Sequence, residues 1–373
     1  MIIGLDGNEA NVKNRVGSGK YAFELLRQFS QNKEHQFMVY LKEKPLPDLP
    51  NEAQNFKYMV FGPRKMWTQF ALPIKLTLSS KLDVFFSLGH YGPRFSKVRY
   101  CITIFDLSYL HYPNLFNRDD LYQLKNWSSY SIKNSAHIFA ISQSTKNDIV
   151  HSYGVNPSKV TVTHMGYDER RFKPQSKAKI TKAKKKYKIE GDYIIFVGTL
   201  QPRKNIERLI EAFHKLVRNP KFEFRNYQLV IVGRRGWLYD SILEIVKKIN
   251  IEDKVTFTGY VSDPDLSALI SGAKAYVLPS LWEGFGIPVI EAQACGTPAV
   301  VSNTSSLPEV VGNSAVLVDP ENVNSIADGI KKVLTNEELR RDLIKKGYAN
   351  AKRFSWQKCA QQTIDTLGKV ASS

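Results

Sequence analysis

The residues from Pro279 to Gly296, PSLWEGFGIPVIEAQACG, constrain the fold more than any other stretch. Just before them Ala275–Leu278 (AYVL) is a short apolar run, the pattern of a strand buried on both faces. Pro279 ends it, and Glu283, Gly284 and Gly286 form a loop. Pro288 suits the first turn of a helix, which Val289, Ile290, Ala292 and Ala294 continue until Gly296 stops it. In an open parallel sheet, a loop between strand and helix lies at the strand's carboxyl end. Ligands bind there, facing the helix N-terminus. Glu283 in the loop and Glu291 in the helix can both reach one elongated polar ligand; the alternative is a solvated pair of glutamates beside a turn. The loop glycines let backbone N–H groups come close to a ligand.

The same unit recurs along the chain. Tyr193–Gly198 (YIIFVG) is a near-continuous apolar strand, and the loop Thr199–Asn205 (TLQPRKN) follows it. Ile206, Leu209, Ile210, Phe213, Leu216 and Val217 then mark one helix face. Arg203 and Lys204 therefore stand at a helix N-terminus, a combination that suits a diphosphate; two ordinary surface cations are the alternative. Leu229–Gly233, Val255–Gly259, Pro298–Ser302 and Ala315–Val318 read as further strands. Arg234, Arg235 and Gly236 follow the first of these, placed to approach a nucleotide.

In the first half Ile2–Leu5, Phe37–Leu41, Val84–Ser87, Cys101–Phe105, His137–Ile141 and Val160–Thr163 read as strands with helices between them. Met66–Leu78 is expected to carry a helix with an exposed aromatic edge. After the first strand Gly17-Ser18-Gly19 opens a helix with Ala22, Leu25, Leu26 and Phe29 on one face, a candidate phosphate cradle or a plain tight turn. A dinucleotide fingerprint would need a third glycine near Ala22. A Walker A loop would need Ser or Thr at Tyr21 and Gly at Asn14.

A length of 373 residues exceeds what one core usually supports, so two domains are expected, and strands alternating with helices make the class α/β, doubly wound. No run of eighteen apolar residues is present, and Met1–Asp6 begins directly as a strand, so neither a membrane span nor a signal peptide is expected. Cys101, Cys295 and Cys359 are scattered, as buried thiols of a reduced cytoplasmic protein would be. The formal charge of +18 suits nucleic acid, an anionic membrane or anionic substrates. No zinc-finger spacing or aromatic RNA-binding signature supports nucleic acid. Lys177–Lys188 concentrates the lysines; it reads as a solvated helix or linker face, or as a membrane-facing segment.

The string EGFG-x-P-x-x-E-A-x-A-x-G-x-P, from Glu283 to Pro298, resembles the signature of the family 4 retaining glycosyltransferases, which have the GT-B fold. Gly198-Thr199-Leu200 with Pro202–Asn205 resembles that family's phosphate clamp, Gly17–Gly19 with Tyr21 its first-strand loop, and Gly259–Asp263 its base-holding loop. The resemblance implies two facing Rossmann-like domains with an interdomain cleft. It gives an acceptor domain 1–172, a basic linker 173–190, a nucleotide-sugar domain 191–352, and a helix 353–373 crossing back to the first domain. It implies that Glu283 meets the donor sugar and Glu291 the ribose, with Arg203 and Lys204 neutralising the departing diphosphate in place of a metal. Thr199, Phe285, Gly286, Ile287 and Tyr260 would complete the donor site with Gly17, Ser18 and Gly19, and Asp106 would face the acceptor. No cofactor and no metal site is implied.

The family usually reads His-Asp-Leu where this chain has Phe105-Asp106-Leu107, so the acceptor side departs from the pattern. His111 and His90 are loop candidates to stand in. By resemblance GDP-mannose is the first donor expected and a UDP-sugar such as UDP-glucose the second. The acceptor would be a glycan or lipid-linked saccharide, and the place of work the cytoplasmic face of an anionic membrane. A non-catalytic nucleotide-sugar or glycan-binding protein of the same fold is the rival, kept open by Phe105.

Overall fold

Thirteen strands, all paired in parallel, form two sheets in a computed structural model that describes residues 1–79, 81–218, 224–236 and 239–373. The first sheet holds β1 (Ile2–Asp6), β2 (Gln36–Leu41), β3 (Phe56–Val60), β4 (Val84–Ser87), β5 (Tyr100–Ile104), β6 (His137–Ala140) and β7 (Val160–Val162). Their order is β3-β2-β1-β4-β5-β6-β7. The second holds β8 (Tyr193–Val197), β9 (Gln228–Val232), β10 (Val255–Gly259), β11 (Ala275–Leu278), β12 (Ala299–Ser302) and β13 (Ala315–Val318), in the order β10-β9-β8-β11-β12-β13.

Both orders start at a central strand, grow one way, then return and grow the other way. This is the doubly wound pattern, and it creates a crevice at the carboxyl ends of the two strands flanking the reversal. Those strands are β1 and β4 in the first sheet, β8 and β11 in the second.

The apolar runs explain the sheets. Every residue of Tyr193–Val197 and of Ala275–Leu278 is buried, as parallel strands covered by helices on both faces require. On helix Ile206–Val217 the apolar residues at three- and four-residue spacing are buried together. Strand β3 is not evident from the sequence. It lies at the edge of its sheet, where only Phe56 is fully buried, so no apolar run marks it.

The chain divides into two units, Met1–Gly166 with Ser355–Ser373, and Tyr167–Phe354. Residues 173–190 do not form a free linker. Lys177–Lys186 is a helix of the second unit that buries Ala183 and packs on helix Asp263–Gly272, with Lys186 and Tyr187 hydrogen bonded to Asp265. In the first unit Ser355 caps the last helix, Trp356–Ser372, which packs on helix Ser18–Gln31. The three cysteines are free and buried. Among the described residues no helix is long and apolar enough to cross a membrane.

Asp6, the last residue of β1, has its pKa raised to about 6 by burial, against the opposing pull of Asn8, whose N–H and side-chain amide both donate to it. An acid held above its ordinary 3.8 binds its proton more tightly in the folded state. Its contribution to stability is therefore complete below about pH 4 and lost as pH rises through about 6. Two pKa units correspond to about 3 kcal/mol. Asp6→Asn is expected to be the more stable form at about pH 8, by up to that amount, and to lose the advantage near pH 4. Urea unfolding of both proteins across this range measures it; parallel curves would remove Asp6 as the cause.

Candidate active site

In the second unit the loops after β8 and β11 are tied together at the crevice. The Leu281 N–H donates to the Arg203 carbonyl at 2.9 Å. The Asn205 side-chain amide donates to the carbonyls of Pro279 (2.9 Å) and Pro320 (2.7 Å). Asn205 is itself left-handed (φ 59°), one of the few non-glycine types that tolerate this, and it ends the short turn Pro202–Lys204 before the next helix starts. The result is that Lys204 Nζ and Glu283 Oε1 meet at 2.5 Å, while Arg203 lies 3.5 Å from Oε2 and also donates to the Trp282 carbonyl. These residues stand 79 and 80 positions apart in the chain. Register on adjacent strands is what joins them.

Glu283 is 6% exposed. Burial alone would raise its pKa, and it is the largest single influence. Lys204 and Arg203, with the hydrogen bonds from Lys204 and Ser280, outweigh it and hold the carboxyl below its usual range. It is therefore a carboxylate at neutral pH.

A row of serines builds the loop around it. Ser280 donates to Glu283 Oε1 at 2.6 Å and Ser306 to the Glu283 carbonyl at 2.8 Å, while Ser305 accepts from the Glu283 N–H at 2.9 Å. Ser302 donates to the Ser280 carbonyl at 2.6 Å. Ser280, Ser302 and Ser306 are fully buried. Sequence reading singles out none of the four.

Gly286 has φ 94° and precedes helix Ile287–Ala294, with Pro288 in its first turn. A side chain here would be strained and its Cβ would lie 2.8 Å from Leu307. The Phe285 ring is 2% exposed and packs edge-on against Phe354, so only its backbone can serve a ligand. Glu291 is 3% exposed on this helix. Gly233 brings the loop after β9 against that after β8, since a Cβ there would lie 1.8 Å from the Gly198 carbonyl oxygen. Thr199 and Ile287 are half-buried at the loops' edges.

Tyr260 lies three strands from β11, on the loop after β10. It is 64% exposed, and the Arg234 guanidinium covers its ring at 4.5 Å. Three strand spacings make roughly 14 Å between β10, which leads to Tyr260, and β11, which leads to Glu283, while Arg234 follows β9, next to the strand that leads to Arg203 and Lys204. The structure thus joins Glu283, Arg203 and Lys204 in direct contact and leaves Tyr260 at a distance along the same sheet end.

The first unit carries its own cluster at the corresponding ends of β1, β4 and β5. Gly17 (φ 48°) precedes helix Ser18–Gln31, and Ser18 donates to Glu9 at 2.8 Å. Gly19 is buried there, its N–H bonded to the Val16 carbonyl. Asp106 accepts from the N–H and the hydroxyl of Ser108, a local turn that leads into the short helix Ser108–His111. The His111 ring pairs with Asp148 at 3.4 Å, and Asp148 lies within electrostatic reach of Asp106.

Phe105 stacks on His90 with ring centroids 5.4 Å apart, and its N–H donates to His90 Nε2 at 3.1 Å. Nε2 is therefore the unprotonated nitrogen, and burial lowers the pKa of the ring, which is neutral. Its Nδ1 is a buried donor with no protein partner among the described residues. An imidazole thus does stand beside Asp106, supplied from the loop after β4 and not from the end of β5.

Comparison with known proteins bears on the family and the fold. The family model "Glycosyltransferase Family 4" matches residues 16–171, and "Glycosyl transferases group 1" matches residues 178–350. O-antigen chain mannosyltransferase B of Escherichia coli is 31% identical over 281 residues, 74% of this chain and 73% of that protein. Among solved structures, sucrose-phosphate synthase from Thermosynechococcus elongatus superposes over all of both chains, with a TM-score of 0.77 and 19% identity. HepE of Anabaena in complex with UDP-glucose superposes over 99% of both, with a TM-score of 0.75 and 16% identity. At such identities the structural matches establish the GT-B fold.

Proposed function

This chain belongs to the family 4 glycosyltransferases with a group 1 transferase domain, and from that premise we propose that it moves mannose from GDP-mannose to a glycan or lipid-linked acceptor. The observation that carries the proposal is the Arg203–Lys204–Glu283 cluster at the crevice of the second sheet. The base lies against Tyr260 and Arg234, and the ribose on Glu291. The diphosphate lies on Arg203 and Lys204 at the helix N-terminus. The sugar hydroxyls meet Glu283 and the amides of Phe285 and Gly286.

As the bond from the anomeric carbon to the diphosphate oxygen breaks, negative charge grows on the diphosphate. Two fixed cations in a buried site stabilise that charge, the work a metal does elsewhere. The acceptor hydroxyl attacks the same face and gives its proton to the departing diphosphate oxygen, so the anomeric configuration is retained. Asp106 and the neutral His90 hold the acceptor in the first unit. The place of work is the cytoplasmic face of an anionic membrane, where the +18 charge is attracted.

Thermal unfolding with GDP-mannose, GDP, UDP-glucose, UDP-N-acetylglucosamine and UDP tests the donor. A ligand at a hundred times its Kd adds about 2.7 kcal/mol, several degrees for a chain of this size. The expected result is a shift with GDP-mannose and GDP alone, and its loss in Glu291→Ala. A shift confined to the UDP set replaces mannose by a UDP-sugar. No shift with any of them favours a protein of this fold without the chemistry.

A further inference from the structure

The helical segment after β3 is apolar on two opposite sides, and the chain covers only one of them. Trp67–Ala71 winds as a π turn and leads into helix Leu72–Ser79. Trp67, Ala71, Leu72 and Leu76 sink into the core with Tyr40, Phe85 and Tyr100. On the opposite side Phe70 and Ile74 are each 59% exposed and Leu78 80% exposed, with Met66 (43%) at the entry. A spacing of four residues sets these side chains in one line along the helix. A helix on a water-facing surface shows polar residues there, and an apolar stripe in their place marks an interaction site.

The charge around the stripe says what covers it. Arg64, Lys65, Lys75 and Lys81 flank it, and no Asp or Glu occurs between Phe61 and Leu82. Arg64 is near Glu43 at 3.4 Å, an exposed and screened pair that leaves the region basic. A second copy of this chain would bring a further +18 against the same face, which charge repulsion opposes. An anionic bilayer offers what the stripe lacks: a shallow apolar layer under a negative surface.

We propose that Phe70, Ile74 and Leu78, with the cations beside them, form the surface by which this chain docks on a bilayer containing anionic lipids. This deepens the membrane placement proposed above and rests on it, not on the choice of donor. The lysine helix Lys177–Lys186 supplies long-range attraction but exposes no large apolar residue to insert, since its Ile180 is half-buried and its exposed apolar side chain is only Ala178.

The test is flotation of the full chain with vesicles of phosphatidylcholine alone and of phosphatidylcholine mixed with phosphatidylglycerol. The expected result is binding to the mixed vesicles that salt weakens. The triple variant F70S/I74S/L78S should bind them at least about tenfold less, because it keeps the charge and loses the inserting groups. Its unfolding temperature and its turnover on a water-soluble acceptor should be unchanged, since these side chains are already exposed. If the wild type ignores both vesicles, the membrane placement itself falls. If the wild type binds and the triple variant binds equally, the placement stands and this surface is the wrong one. If sedimentation velocity shows a wild-type dimer that the triple variant loses, with vesicle binding unaltered, the stripe is covered by a second copy.

Discussion

Lys204→Ala is expected to destabilise the second unit by about 3–5 kcal/mol, because it leaves the Glu283 carboxylate buried without its nearest cation. Lys204 and Glu283 side chains are only 13% and 7% exposed, so solvent screens their interaction little. Arg203 at 3.5 Å offsets part of the loss but not the 2.5 Å contact. For a unit of this size the melting temperature should fall by roughly 6 to 20 °C. A double variant separates pairing from chemistry. Lys204→Met with Glu283→Leu removes both charges and fills the space, and buried ion pairs replaced in this way are often neutral or better in stability. It should recover most of the melting temperature and show no transfer. Scanning calorimetry of the three proteins measures this, and a drop under about 1 kcal/mol for the single variant would place the pair among weak surface contacts.

Glu283→Gln is expected to lower kcat about 10²- to 10³-fold, the range found when one fixed electrostatic group is removed from a reacting centre. The donor's KM should hold or fall. Glutamine keeps the shape and can still accept from Ser280, so the loop is retained. Lys204, no longer tied to a carboxylate, would grip the ground-state diphosphate at least as well. Steady-state kinetics with the donor varied resolves the two constants. A rise in KM with kcat unchanged would make Glu283 a simple binding group.

Much of this was legible in the sequence. Parallel strands buried on both faces must be apolar throughout, so Tyr193–Val197 and Ala275–Leu278 declare themselves. Glycine punctuates the stretch from Pro279 to Gly296 where the backbone turns left-handed, at Gly286 (φ 94°) and Gly296 (φ 81°). The contact between Lys204 and Glu283 was not legible. Two loops carry these residues, and only the sheet order β8–β11 makes the loops neighbours. The serines were invisible for a different reason. Serine in a loop is ordinary in composition, and nothing local distinguishes a hydroxyl that holds a carboxylate from one that faces water. His90 was named as a candidate without its partner, since a stack across two strands leaves no mark on spacing. Asp106 was expected to face the acceptor, and its bonds to the N–H and hydroxyl of Ser108 had no mark in the sequence. The exposed edge expected for Met66–Leu78 is present at Phe70, but its extension to Ile74 and Leu78 depends on which side meets the core.

The serine row has a bearing on how such a protein changes over generations. Ser280, Ser302, Ser305 and Ser306 hold the Glu283 loop with bonds to Glu283 and to one another's backbone. Arg234 and Tyr260, on the loops after β9 and β10, hold each other. The bonds around the carboxylate and the contact that seats Tyr260 are thus separate, although the loop after β9 is itself hydrogen bonded to Leu200 in the loop after β8. Substitutions around Tyr260 can drift, and with them the preference for one base over another, without disturbing the carboxylate. One scaffold can in this way supply descendants that take different donors while the reacting end stays as it was.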